Sequence, residues 1–190
     1  QEGIASNLRL IPEESAILMD KRLYKIEENR DNFDYIFSTT KVINLIKKGN
    51  RAKKYQNFVL KNKSSLSTKR LYITNAKDKS NIISLMKQLP RNASSFSEVE
   101  VDSLNRYISS QNNDIGENII LGVFIKNSLK GLIIYEILGN ESSTCNFLKV
   151  DNSYLGLDLF LLNESAKALV DAGIKYINFE QDMGIQSLRS

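Results

Sequence analysis

The chain has 190 residues, 42% hydrophobic and 25% charged, with 26 basic against 22 acidic side chains for a net charge of +4; this is an ordered globular composition, sufficient for one full domain and part of another. It contains no histidine, which excludes imidazole general-base chemistry, Ser-His-Asp and Cys-His nucleophiles and every histidine metal site. One cysteine, Cys145, allows neither an internal disulfide nor a thiolate cluster, so no metal is expected and a reducing, cytoplasmic setting is.

Pro12-Glu13-Glu14 followed by Ser15-Ala16-Ile17-Leu18-Met19 predicts a short helix with its acids in the first turn, where exposed N–H groups favour them. Two short strands are predicted near 22–27 and 33–37, separated by a polar turn over Asn29 to Asn32. Ser38-Thr39-Thr40 offers hydroxyl caps for a helix carrying Val42, Ile43, Leu45 and Ile46, and Gly49 separates it from a second helix running to about Asn62.

Charge concentrates here. Residues 1–70 carry 15 basic and 8 acidic side chains, a net +7, whereas 71–190 carry 11 and 14, a net −3. Residues 41–70 alone hold ten Lys or Arg and no acid. Such a stretch is either a solvated basic helix or a grip on a phosphate-rich partner. Tyr55 and Phe58, interleaved with Arg51, Lys53 and Lys54, favour the second by offering an apolar wall.

Lys63 to Lys69 is a polar stretch of the kind that links units, and a domain boundary is expected there, near residue 65. Beyond it a strand is predicted over 70–74, then helices over 78–89, ended by Pro90, and 102–110. The β-branched runs 119–126 and 129–138, separated by Asn127-Ser128, read as a hairpin, and 144–150 completes a meander. A long apolar helix over 157–172 stops at Gly173, and a strand over 174–180 runs into Gln-Asp-Met-Gly.

No unbroken apolar run reaches the ~18 residues of a membrane span, and no charged segment precedes an apolar one as in a signal peptide. A soluble piece is expected, with any membrane anchor outside these residues.

An antiparallel meander, a long helix and a returning strand is the element order of the N-acetyltransferase-like (GNAT) fold, an α+β class with a mixed, mostly antiparallel sheet flanked by helices. Two stretches add detail: Phe33-Asp34-Tyr35-Ile36-Phe37-Ser38 leading into Arg51-x-Lys53-Lys54, and Tyr176-Ile177-Asn178-Phe179-Glu180-Gln181-Asp182-Met183-Gly184-Ile185-x-x-Leu188-Arg189. With these the chain resembles the phosphatidylglycerol lysyltransferase C-terminal family. That resemblance implies two tandem GNAT-like units, with 1–65 the tail of the first and 66–190 most of the second. It departs from the family twice. Tyr55-Gln56-Asn57 stands where the family's basic helix usually has a histidine, and the chain stops at Ser190, directly after the motif arginine, so it is expected to be incomplete at its C-terminal end.

Characterised members transfer an aminoacyl group from charged tRNA to a lipid head group. The resemblance therefore implies an acyl-transfer scaffold, cytoplasmic, peripheral to a membrane or attached to a membrane domain outside these residues. Glu180 and Asp182, two apart at a strand end, project to one side and could hold an amine or accept its proton, and Arg189 could neutralise them or grip a phosphate. An equally simple reading makes them a salt bridge that fixes the turn at Gly184. Lys48, Arg51, Lys53, Lys54 and Asn57 are the candidate donor-phosphate residues. A coenzyme A donor calls for a glycine-rich pyrophosphate cradle, and Asp151-Asn152-Ser153-Tyr154-Leu155-Gly156 supplies one glycine, so acetyl-CoA ranks below aminoacyl-tRNA. The rival to an enzyme is a non-catalytic module that binds nucleic acid or an anionic surface.

Overall fold

The computed structural model describes residues 11–89, 96–110 and 117–181. In chain order the elements are α1 (Glu13–Ala16), a 3-10 turn (Arg30–Asn32), β1 (Asp34–Ser38), α2 (Thr39–Ile46), α3 (Gly49–Asn62), β2 (Leu66–Arg70), α4 (Ala76–Gln88), α5 (Phe96–Ser110), β3 (Asn118–Ile125), β4 (Ser128–Leu138), β5 (Ser142–Val150), α6 (Leu157–Asp171) and β6 (Tyr176–Gln181). The chain divides into two compact units, Ile36–Phe179 and the remainder, whose described part is 11–35 with Glu180 and Gln181.

The described strands form one sheet in the order β1-β6-β5-β4-β3-β2. Strands β2 to β5 are antiparallel neighbours, while β6 runs parallel to β5, as a strand returning through a crossover helix must. This is the α+β, GNAT-like arrangement that the element order predicts. Lys126 and Asn127, with φ of 50° and 63°, close the β3–β4 hairpin between the paired Ile125 and Ser128. Two consecutive left-handed residues make a type I′ turn, whose twist matches that of the strands it joins.

Strands β3 and β4 are apolar on both faces, which is why they read as near-continuous runs. Ile119, Leu121, Val123 and Ile125 of β3, with Ile133 and Tyr135 of β4, face a core closed by Val42 and Ile46 of α2, Phe58 of α3, and Leu157, Phe160, Leu161 and Leu169 of α6. The alternate residues Ile120, Leu132 and Ile134 face a second core with Ile82, Leu85 and Met86 of α4 and Leu104 and Ile108 of α5. The Tyr135 hydroxyl, inside the first core, meets the Ser165 hydroxyl of α6 at 3.0 Å.

Two local expectations change. The polar stretch 63–69, read as a linker with a strand after it, instead carries β2, which pairs Leu66 to Arg70 with Ile125 to Leu121 of β3. It is an edge strand whose polar residues face outward, and charged side chains suit an edge because they discourage further pairing. The strand expected near 22–27 does not form. Residues 21–23 make a turn and 24–29 adopt no regular element; Lys25 and Glu27 pair with each other, and period-two polarity cannot hold a strand without a neighbouring ladder.

Asp78 ties α4 to the chain leaving β2. It is buried, takes the Lys69 ammonium at 2.7 Å and accepts from the Tyr72 backbone N–H at 3.2 Å. Burial alone would raise its pKa, but the Lys69 ammonium and the Tyr72 N–H outweigh it and hold the carboxyl below the ordinary carboxylate range.

Candidate functional site

Helix α3 begins at Gly49, which sits in the left-handed region at φ 57° directly after the extended Lys48. From there Ala52, Tyr55, Phe58, Val59 and Asn62, at spacings of three and four, turn inward. Phe58 is 2% exposed, and its ring lies 5.3 Å from that of Phe160, while Tyr55 stacks on Phe160 at 5.9 Å. The Tyr55 hydroxyl accepts from the Asn163 amide at 3.3 Å. The apolar wall expected for a ligand is therefore turned into the core at Phe58, because burying that ring is what fixes the helix to α6. All five predicted donor residues, Lys48, Arg51, Lys53, Lys54 and Asn57, are exposed on this helix or its cap. Lys54 lies three residues from Arg51 and from Asn57, so the three follow one another along the helix surface.

The loop from β5 to α6 is fixed by its own polar groups. The Asp151 N–H donates to the Lys130 carbonyl at 2.8 Å, the Ser153 N–H to Asp151 Oδ1 at 3.1 Å, and the Tyr154 N–H to the Asp151 carbonyl at 3.0 Å. Lys130 pairs with Asp151 at 3.2 Å and stands 5.7 Å from the centre of the Tyr154 ring. Burial would raise the Asp151 pKa, but bonds from Ser153 and Lys130 prevail and lower it.

The loop ends at Gly156, the N-cap of α6, with φ 92°. A Cβ there would stand 2.6 Å from the Lys54 carbonyl oxygen and 3.2 Å from Phe58 Cβ. The loop's one glycine thus accommodates the close approach of α3 at the Lys54 carbonyl. Ligands in sheets with parallel strands gather beyond the carboxyl ends of those strands, where β5 delivers this loop.

Of the predicted catalytic residues, Glu180 is described and belongs to the other unit, while Asp182 and Arg189 lie outside the described residues. Glu180 sits in β6 at φ 60°, a conformation rare for any residue with a side chain. Although the side chain is exposed, the protein around its carboxyl screens it in part from water, and this desolvation, then the negative charge of Asp34 in the same unit, pushes its pKa above the ordinary glutamate value. Sequence reasoning missed Asp34 as an acid of this site. Its place as the second residue of the Phe33–Ser38 stretch was the available signal. In the same unit Arg30 lies 5.4 Å from the Phe33 ring and 5.3 Å from the Tyr35 ring, and it donates to the Tyr35 hydroxyl at 2.7 Å. Among the described residues no cluster of metal-ligating side chains forms, and no helix is long and apolar enough to cross a membrane.

No protein-family model and no curated protein matches the chain. Solved structures do. It is similar to a conserved protein of unknown function from Bacteroides thetaiotaomicron, 18% identical, over 86% of this chain and 55% of that one, with a TM-score of 0.60. It is also similar to the C-terminal domain of a candidate lysylphosphatidylglycerol synthetase from Agrobacterium fabrum, 12% identical, over 79% of this chain and 46% of that one, with a TM-score of 0.52. The second likeness bears out, at the level of fold, the resemblance read from the two sequence stretches. The chain spans about half the length of these two proteins.

Proposed function

We propose that the chain is a GNAT-like acyltransferase unit that takes a phosphate-bearing donor of the aminoacyl-tRNA kind and passes its aminoacyl group to a lipid head group or a small-molecule acceptor. The observation that carries this reading is the seating of α3. Its exposed cations, Lys48, Arg51, Lys53 and Lys54, and the neutral Asn57 lie on a helix whose Lys54 backbone carbonyl closely approaches Gly156 at the head of α6. A run of cations on a rigid helix suits the phosphates of a nucleic acid. Acetyl-CoA ranks below such a donor, because the loop's one glycine already accommodates the approach of α3.

In the reaction, the acceptor's amine or hydroxyl attacks the ester carbonyl of the donor. The new bond to the carbonyl carbon forms, and the bond to the donor's ribose oxygen breaks. The proton lost by the nucleophile passes to the Glu180 carboxylate and then to the leaving oxygen. A raised pKa brings that carboxylate closer to neutrality, where a general base is most effective. Asp182 and Arg189 are assigned to the acceptor. The working place of such an enzyme is the cytoplasm, or the cytoplasmic face of a membrane where the acceptor is a lipid.

The test is transfer of a labelled amino acid from charged tRNA by the intact protein. Lys53→Ala/Lys54→Ala is expected to raise KM for the donor, and Glu180→Gln to lower kcat with donor binding unchanged. Transfer that neither change touches would remove these residues from the mechanism. Donor binding without transfer to any acceptor would favour a non-catalytic module.

A further inference from the structure

Gly156 does more than open a helix. At φ 92° a side chain would already be strained, and the two nearest atoms its Cβ would meet are backbone, the Lys54 carbonyl oxygen at 2.6 Å and the Lys54 carbonyl carbon at 3.1 Å, with Phe58 Cβ next at 3.2 Å. A neighbouring side chain could swing away, whereas a backbone carbonyl moves only with its helix. Ordinary contact for a Cβ begins at 3.4 Å, so any residue but glycine must push α3 outward at Lys54 by most of an ångström. Elsewhere α3 is held, by the burial of Phe58 and by the stacking of Tyr55 on Phe160. The displacement is therefore largest at Lys54, whose carbonyl lies nearest, and smaller at Phe58.

We infer that Gly156 is a positioning residue for the donor: its missing side chain seats Lys54 where that ammonium can grip a donor phosphate. The inference rests on the reading of α3 as the donor helix. Gly156 touches no donor itself and acts through Lys54, so its effect should vanish when Lys54 no longer carries a charge.

A double-mutant cycle reads this dependence. The probe is a short single-stranded RNA, whose binding by wild type, Gly156→Ala, Lys54→Ala and the double variant is followed across rising salt. Losing one phosphate contact on a single strand flattens the log–log salt slope by about 0.7. Gly156→Ala is expected to weaken binding several-fold and flatten the slope by that one contact, as Lys54→Ala does. In the Lys54→Ala background Gly156→Ala should change neither quantity further. Equal losses in both backgrounds, an unchanged slope for Gly156→Ala, or no binding by the wild type would overturn the inference.

Thermal melting verifies that the variants fold. If Gly156→Ala does not, Phe160→Leu loosens the same α3–α6 contact without adding an atom, and the same cycle with Lys54→Ala decides the matter in its place. The aminoacyl-transfer reading fails separately, on absence of transfer from charged tRNA. RNA binding by a cationic helix needs no chemistry, so the cycle stays readable in that event.

Discussion

Helices α3 and α6 are almost equal in length, 14 and 15 residues, and they pack on each other, yet α3 buries one side chain where α6 buries seven. Helix α6 lies against the sheet on one side and α2 and α3 on others, so about half of its side chains are buried and what it exposes, Asp158, Lys167, Val170 and Asp171, forms no run of one charge. Helix α3 meets the core along one stripe and carries its charge outside. The lesson is one of position: an outer helix that needs only a narrow apolar seam can give the rest of its surface to recognition.

The contrast breaks most visibly in the core. Leu161→Ala, at a position with no exposure, should cost about 3 kcal/mol of unfolding free energy through lost burial and an incompletely collapsed cavity. Chemical denaturation measures it, and the folded fraction should still bind RNA normally. Asp78→Ala should cost about 2 kcal/mol, because it leaves the Tyr72 N–H and the Lys69 ammonium without their acceptor. Since the folded pKa of Asp78 lies below its unfolded value, the wild-type advantage is full above the ordinary carboxylate range. It disappears as pH falls through the depressed value, so denaturation curves of the two proteins should converge in acid.

Glu180 gives the opposite sign and a smaller effect. Its raised pKa means that the folded chain binds the proton more tightly than the unfolded chain does. Stability therefore falls as pH rises from the ordinary glutamate range through the raised value, and Glu180→Gln should abolish that part of the slope. Melting temperatures across the window check it. Smallest of all is the stability change of Lys53→Ala/Lys54→Ala, expected within about 0.5 kcal/mol because both side chains are solvated. A large loss there would show that α3 uses its charges for folding.

Much of this fold was legible in the sequence because local and global signals agree. Ser38 was readable as a cap, and it accepts from the Lys41 N–H at 3.2 Å. The β-branched runs became β3 and β4, and the apolar run after Gly156 became α6. Strand β2 was not legible, since an edge strand takes its ladder from β3 and its own residues need not be apolar. The inward turn of Phe58 was hidden for a related reason: an aromatic among lysines reads alike as a ligand wall or as the seam of an amphipathic helix, and only the packing on Phe160 decides. The place of Gly156 was also hidden. Its single letter suggested a poor phosphate cradle, but not that the Lys54 carbonyl rests against it.

The central claim is that the outer face of α3 holds the donor, and it is tested most directly by RNA affinity as a function of salt for two charge-matched pairs. Lys53→Ala/Lys54→Ala removes two cations from α3, and Lys77→Ala/Lys87→Ala removes two exposed cations from α4. The account predicts that the α3 pair flattens the salt slope by about 1.4 for a single-stranded RNA while the α4 pair leaves it near wild type. Equal losses for the two pairs would mean that net charge alone attracts the RNA, and would contradict the assignment of the donor to α3.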